Sequence, residues 1–276
     1  MFIYKKWEEF CRKLSENGIH SITAENELSK KGDKFLILKH DVETNPRKAL
    51  NLAKIESAYC HKGVYYVQAY LLNSKKNIEI LRKIKQLGHE VSYHHDVMDS
   101  NKGDIENALA EFTKNKIAFE NNGFEVKTVC QHGNPVIQRE GYTSNRDFFR
   151  DEGVAQFFSG IAEIMVNFRH KIKCDYKYIS DAGYGWKIIY DPENNDIVEN
   201  SDKDIKLDSL DAVLELVLKE NAVIISTHPH RWNKNKIETV AKNIVFKMIK
   251  TIARMLAKIP FVSRIMSRFY FLAKKI

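Results

Sequence analysis

Apolar residues along the chain follow two alternating rhythms. Residues 1–18 carry Phe2, Ile3, Trp7, Phe10, Cys11 and Leu14 at helical spacing, and Gly18 offers a stop, so an N-terminal helix is expected there. After a polar lead-in come seven short apolar runs, each closing in polar or turn residues: Phe35–His40, Val64–Tyr70, Glu90–His94, Lys127–Gln131, Val154–Phe158, Tyr176–Ser180 and Ala222–Thr227. Helical patterns separate several of them. Asn45–His61 places Ala49, Leu52, Ala53 and Ala58 on one face, and Lys75–Leu87 places Ile78, Leu81, Ile84 and Leu87. Asp104–Asn122 does the same with Ile105, Leu109, Phe112 and Phe119, and Leu210–Leu218 is a fourth. Parallel strands need crossovers and helices supply them, so this alternation predicts a mainly parallel α/β sheet. Seven strands within about 200 residues suit a barrel better than an open sheet. The chain shows no internal repeat.

The polar residues at the ends of these runs carry the chemistry. The first run ends in His40-Asp41-Val42-Glu43, the third in His94-His95-Asp96 and the fourth in His132-Gly133. The sixth ends in Asp181 and the seventh in His228-Pro229-His230. In a parallel barrel all C-terminal strand ends lie on one rim, where loops build the site. Residues i and i+2 of a strand point the same way, so Asp41 and Glu43 would face the mouth together with His40 turned away. Two close carboxylates repel unless a cation or a shared proton relieves them; one could hold a metal while the other acts as a base. Neutral imidazole is a common metal ligand, and hydrolytic zinc sites use three protein ligands and a water. His20, His61, His89 and His170 fall outside the pattern and read as ordinary packing or surface residues.

Composition narrows the class. The chain has 276 residues, 43% hydrophobic and 29% charged, a globular balance that excludes disorder and low complexity. No run of eighteen apolar residues occurs, so a spanning helix is not expected. Acids interrupt MFIYKKWEEFCRKLSENG where a signal peptide needs its apolar core, and Cys11, Cys60, Cys130 and Cys174 form no CxxC. Both features point to a cytoplasmic, reduced protein. Of the net charge of +8, the stretch from Lys234 to Ile276 holds eleven basic residues against one acid, Glu238; it carries +10 and leaves −2 for the rest. Basic character is therefore local, and a groove for nucleic acid is not expected.

The segments LKHDVE, GHEVSYHHD, HGNP, ISDAGYGW and STHPHRW occur in that order. Together they resemble the polysaccharide deacetylase superfamily (NodB homology, carbohydrate esterase family 4), and most nearly its divergent branch among surface-polysaccharide biosynthesis proteins. The resemblance spans roughly residues 35–232. It implies a distorted seven-stranded (β/α) barrel, at 31–233, which the residue patterns precede with a helix and lead-in at 1–30 and follow with a basic tail at 234–276. It also implies a divalent metal, usually zinc, and removal of acetyl groups from an amino sugar of a surface polysaccharide or its lipid- or nucleotide-linked precursor. Within the resemblance, Asp41 matches the general base, Glu43 the metal carboxylate, His94 the first histidine of a His-x-x-x-His metal motif, and His228 the general acid. The second histidine of that motif would fall at Met98, and a thioether is a poor ligand for a hydrolytic zinc. His132, at the next strand end, is the expected replacement; His95 and Asp96 are weaker choices because His95 points away from His94. Asp181, Trp186 and Trp232 are expected to contact substrate, the two indoles by stacking on a sugar ring. Two other outcomes stay open: a barrel that has lost catalysis and binds glycan or serves as a scaffold, which Met98 favours, and hydrolysis of another C–N bond such as a cyclic amide.

The tail reads as amphipathic. On a helical wheel Ile237, Val240, Ala241, Ile244, Val245, Met248, Ile252, Met255 and Ile259 gather on one side. Lys236, Lys242, Lys247, Lys250, Arg254 and Lys258 gather on the other, with Phe246 among them. After Pro260 a segment containing Phe261, Phe269, Tyr270 and Phe271 is interleaved with Arg264, Arg268, Lys274 and Lys275. This pattern suits an anionic membrane surface, here the inner face, where each basic residue contributes on the order of 1 kcal/mol. The full chain is expected to sediment with anionic liposomes at low salt while a chain ending near Trp232 does not. Equal lack of binding by the two forms would exclude the anchor.

Overall fold

The structure is a computed structural model that describes residues 2–134, 137–194 and 203–235. The expected amphipathic tail, from residue 236 onward, lies outside the described residues. Nine strands are described: β1 (Phe35–Val42), β2 (Gly63–Val67), β3 (Glu90–His95), β4 (Thr128–Gln131), β5 (Ala162–Glu163), β6 (Lys177–Ser180), β7 (Trp186–Ile189), β8 (Ile205–Leu207) and β9 (Ala222–Thr227). They form one sheet in the order β5-β4-β3-β2-β1-β9-β6-β7-β8. From β5 to β6 every neighbouring pair is parallel, and β7 and β8 add an antiparallel edge. Helices Pro46–Ala58, Lys75–Gln86 and Ile105–Asn121 make the crossovers between the first four strands, and Leu210–Lys219 leads into β9.

Two expectations are corrected. Val154–Phe158 is not a strand; Glu152–Phe157 is a helix, and the Asp151 side chain caps it by accepting from Val154 N. Three apolar residues at positions 154, 157 and 158 fit a helical turn as well as a strand, and the capping acid decides between them. The fifth parallel strand is instead the two-residue β5. The sheet also has nine strands among the described residues where seven were expected. Beyond β6 the chain turns back through Gly183, at φ +77°, and continues as β7 and β8, so β5 and β8 are the two ends of the strand order.

Every residue of β1 is buried, so both faces of the sheet are covered and period two sorts its side chains between them. Phe35 and Ile37 join Val64, Tyr66, Cys130, Tyr178 and Ile224 in the core of one face. Lys39 and Asp41 continue that face toward the C-terminal end. Leu36 and Leu38 lie under the helices of the other face with Val223 and Ile225. The N-terminal helix, Tyr4–Glu16, belongs to this second core through Trp7, Phe10, Cys11 and Leu14. It is tied to the far end of the described chain by Tyr4 N donating to Asn233 O (3.0 Å) and Asn233 N donating to Phe2 O (3.1 Å).

A carboxylate, Glu56, is buried under this helix. Its Oε1 accepts from Trp7 Nε1 at 2.9 Å and its Oε2 from the Tyr65 hydroxyl at 2.7 Å. His40 Nε2 lies 2.8 Å from Oε1 without hydrogen-bond alignment, and His89 Nδ1 lies 3.7 Å from Oε2. Burial opposes the charge, but His40, His89 and Tyr65 outweigh it and hold the Glu56 pKa at about 2, below the ordinary 4.5. A carboxylate depressed by folding contributes stability above its unfolded pKa and loses that contribution as pH falls through the folded value. Urea denaturation should therefore show stability falling between pH 4.5 and about 2, with Glu56→Gln removing part of that slope. An unchanged slope in the variant would contradict the account.

Candidate active site

The parallel strands deliver their C-terminal ends to one place. β1 supplies Asp41 and, just beyond its end, Glu43; β3 supplies His94; His132, Asp181 and His228 follow directly on β4, β6 and β9. Glu43, His94 and His132 each offer one ligand atom within 4.8 Å of one another. His132 Nδ1 lies 3.2 Å from both His94 Nε2 and Glu43 Oε1. His94 Nδ1 lies 2.9 Å from Cys130 O. A carbonyl can only accept, so Nδ1 carries the proton and Nε2 presents its lone pair to the other two residues. Burial lowers the His94 pKa to about 3, so the ring is neutral at pH 7, the form a metal needs. Burial works against the charge of Glu43, but His132 and His228 outweigh it and hold this carboxyl well below its usual range. One ionised carboxylate and two imidazoles form a donor set suited to a divalent ion such as zinc, with a position left for water.

A second group, Asp41, His94 and Cys130, also falls within 4.8 Å. It suits a metal less well. Lys39 Nζ lies 2.6 Å from each Asp41 oxygen, which puts an ammonium where a metal would meet that carboxylate. Burial also pushes the Cys130 thiol well above its usual range, away from the thiolate that ligation requires.

Asp41 is a buried, ionised acid at the edge of the cluster. Burial raises its pKa, but Lys39, His94 and His228 outweigh that and leave it below the ordinary carboxylate value. Lys39 is 1% exposed and also donates to Ser226 Oγ at 3.1 Å. His228 Nε2 stands 3.9 Å from Asp41 Oδ2 and 3.8 Å from Glu43 Oε1. Behind it, Nδ1 meets Asp181 Oδ1 at 2.6 Å, which directs Nε2 toward the two carboxylates.

Asp181, expected to contact substrate, has its carboxylate turned inward onto protein donors. It is fully buried and accepts from Thr227 Oγ1 (2.7 Å), His228 N (3.0 Å) and Arg231 Nη1 (2.7 Å). Burial opposes its charge, while Arg231 and His228 depress its pKa below the usual range. The tryptophans are corrected as well. Trp232 is fully buried and spends its indole N–H on Thr227 Oγ1 at 2.9 Å. Trp186 is buried against Phe2, which also meets Trp232, so both rings lie in the core rather than on an open face. Next to His94, His95 turns to the opposite face among Tyr93, Phe112, Phe148 and Phe149, and Met98 packs in that same apolar layer. Asp96 is in neither three-residue group.

Two residues of the site lie outside the sequence expectations. Lys39 is within reach of the period-two rule, since it sits two places before Asp41 on the same face. Tyr70, on the turn after β2, is 38% exposed and donates its hydroxyl to Glu43 O at 2.5 Å. Nothing in the local pattern marks it.

No protein-family model matches the chain, and no curated protein matches it. Among solved structures it is similar to a CE4 esterase of Streptococcus mutans, at 14% identity over 84% of this chain and 89% of the other, with a TM-score of 0.44. It is similar to the catalytic domain of a peptidoglycan N-acetylglucosamine deacetylase from Eubacterium rectale, at 14% identity over 79% and 86%, with a TM-score of 0.44. A peptidoglycan deacetylase of Bacillus subtilis follows at 13% identity over 82% and 98%, with a TM-score of 0.39. These are a CE4 esterase and two deacetylases. At identities this low, the role of each residue rests on the geometry of the site.

Removing one partner of a buried ion pair leaves the other charge uncompensated, at a cost of about 3–5 kcal/mol. Lys39→Met should lose stability on that scale in chemical denaturation. A loss under about 1 kcal/mol, the worth of an exposed pair, would show that Asp41 does not depend on Lys39.

Proposed function

We propose that the chain is a metal-dependent, deacetylase-like hydrolase that removes an acetyl group from an amino sugar of a surface polysaccharide or its precursor. One observation carries this reading: a carboxylate and two imidazoles meet beside a separate ionised acid, Asp41, and a histidine backed by an acid, His228. Glu43, His94 and His132 would hold the ion. A divalent ion there polarises a carbonyl and lowers the pKa of water from about 15.7 toward 7.

The remaining steps belong to the protein. Asp41 accepts the proton of the attacking water. Lys39 occupies one lone-pair direction on each Asp41 oxygen and Ser226 Oγ lies 3.5 Å from Oδ2, so Oδ1 keeps an acceptor site for the water, since a carboxylate offers about four. His228 donates a proton from Nε2 to the leaving amine, and its Nδ1–H stays on Asp181, which sets the ring's orientation through the transfer. An acid and a base on the same side of the cluster suit amide cleavage, where water loses a proton and the amine must gain one. With both tryptophans in the core, Tyr70 is the ring proposed to meet a sugar, supported by its exposure and its hydrogen bond to Glu43 O.

No helix among the described residues is long and apolar enough to cross a membrane. The basic tail from Lys234 is proposed to hold the mouth at an anionic membrane surface, beside lipid-linked glycans.

Acetate release from N-acetylated amino sugars, measured together with bound zinc, tests the assignment. Asp41→Asn should keep the metal and lose about 10²–10⁴-fold in turnover, the range for removal of a general base. His132→Ala should lose both metal and turnover, and His95→Ala neither. Loss of metal from Asp41→Asn, or full metal in His132→Ala, would overturn these roles.

A further inference from the structure

His132 is the least supported member of the cluster by secondary structure. Glu43 follows an eight-residue strand and His94 lies inside a six-residue one, but His132 follows β4, which has only four residues. Its backbone is nonetheless tied on both sides. The amide donates to His95 O at 2.7 Å, and the carbonyl accepts from Asn145 Nδ2 at 2.8 Å.

Asn145 is fully buried, and both of its amide protons are used. Besides His132 O, its Nδ2 donates to Asp99 Oδ2 at 2.8 Å, and its Oδ1 accepts from Asp99 N at 2.9 Å. Asp99 belongs to the short helix Val97–Ser100 that follows β3, the strand carrying His94. Arg139 grips the Asp99 carboxylate with two parallel bonds, Nε to Oδ1 at 2.8 Å and Nη2 to Oδ2 at 2.9 Å, and the Tyr142 hydroxyl adds a third at 3.2 Å. A bidentate arginine fixes the plane of a carboxylate, and that plane here fixes the Asn145 amide.

We propose that Asp99 and Asn145 form a clasp that sets the distance between His132 and His94. Resting on the metal-site reading above, it makes Asn145 and Asp99 positioning residues: neither touches the ion or the substrate. The helix that extends β3 holds the segment that brings His132, so both imidazoles are referenced to one element. Outer partners of metal ligands affect affinity because a ligand displaced by a fraction of an ångström no longer completes the coordination shape.

The test is zinc titration by calorimetry, with cobalt(II) absorption as a report on ligand geometry, on the full chain, Asn145→Ala, Arg139→Met and His132→Ala. Asn145→Ala should bind zinc about 10–100-fold more weakly, and its cobalt spectrum should move toward that of His132→Ala. Arg139→Met, which loosens Asp99 without touching the amide, should shift both readouts less and in the same direction. It decides the matter if Asn145→Ala does not fold. Unchanged affinity and spectrum in the folded clasp variants, with loss only in His132→Ala, would overturn the clasp alone. Absence of zinc and cobalt binding in the unmutated chain would overturn the metal site and the clasp with it.

Discussion

Asp41 can remain charged inside the sheet because Lys39 grips both of its oxygens. The two residues are neighbours on one face of β1, separated by a side chain that points the other way, and that face is lined by apolar residues from six other strands. An unpaired carboxylate there would neutralise or unfold its surroundings. Paired, it leaves a fixed ionised acid under the mouth, 3.9 Å from the His228 ring. The arrangement of the rest follows from that anchor. Glu43, two residues on, emerges at the same rim, where His132 and His228 compensate its charge. His40, between Lys39 and Asp41, is directed to the opposite face and lies beside a different carboxylate, Glu56.

Much of this was legible because a strand has only two faces. Six of the seven apolar runs are strands, and their polar ends converge as the parallel topology requires. The pairing of His94 with His132, across neighbouring strands β3 and β4, follows from the same rule. What escaped has physical reasons. Val154–Phe158 carries too few residues to separate period two from period 3.6, and its cap lies outside the run. β7 and β8 have four and three residues, too short for alternation to register. The fate of the tryptophans was not written locally either. An indole after a strand end serves equally as a sugar platform or as core, and only the N-terminal segment folding back, Phe2 onto both rings and Trp7 onto Trp232, decides it. Asp181 was placed at the rim as expected, but its four donors come from Thr227, His228 and Arg231, and they turn it inward as a support for His228.

The two histidine neighbours on β3 show how far burial alone separates function from packing. His94 and His95 are both buried, and burial lowers the pKa of each to about 3. His94 faces a carboxylate and another imidazole. His95 faces four aromatic rings, and neither of its nitrogens has a hydrogen-bond partner among the described residues. A depressed pKa marks both, yet only the geometry around His94 gives its lone pair something to do. Met98, in turn, lies on the side of His95, so a ligand at position 98 would have to leave the apolar layer to reach the cluster.

The central claim is that Glu43, His94 and His132, rather than Asp41, His94 and Cys130, make the metal site. X-ray absorption at the zinc edge of the reconstituted protein separates the two donor sets most directly. The account predicts a first shell of nitrogen and oxygen at about 2.0–2.1 Å, with the outer scattering of imidazole. A sulfur scatterer at about 2.3 Å would place the ion on Cys130 and contradict it.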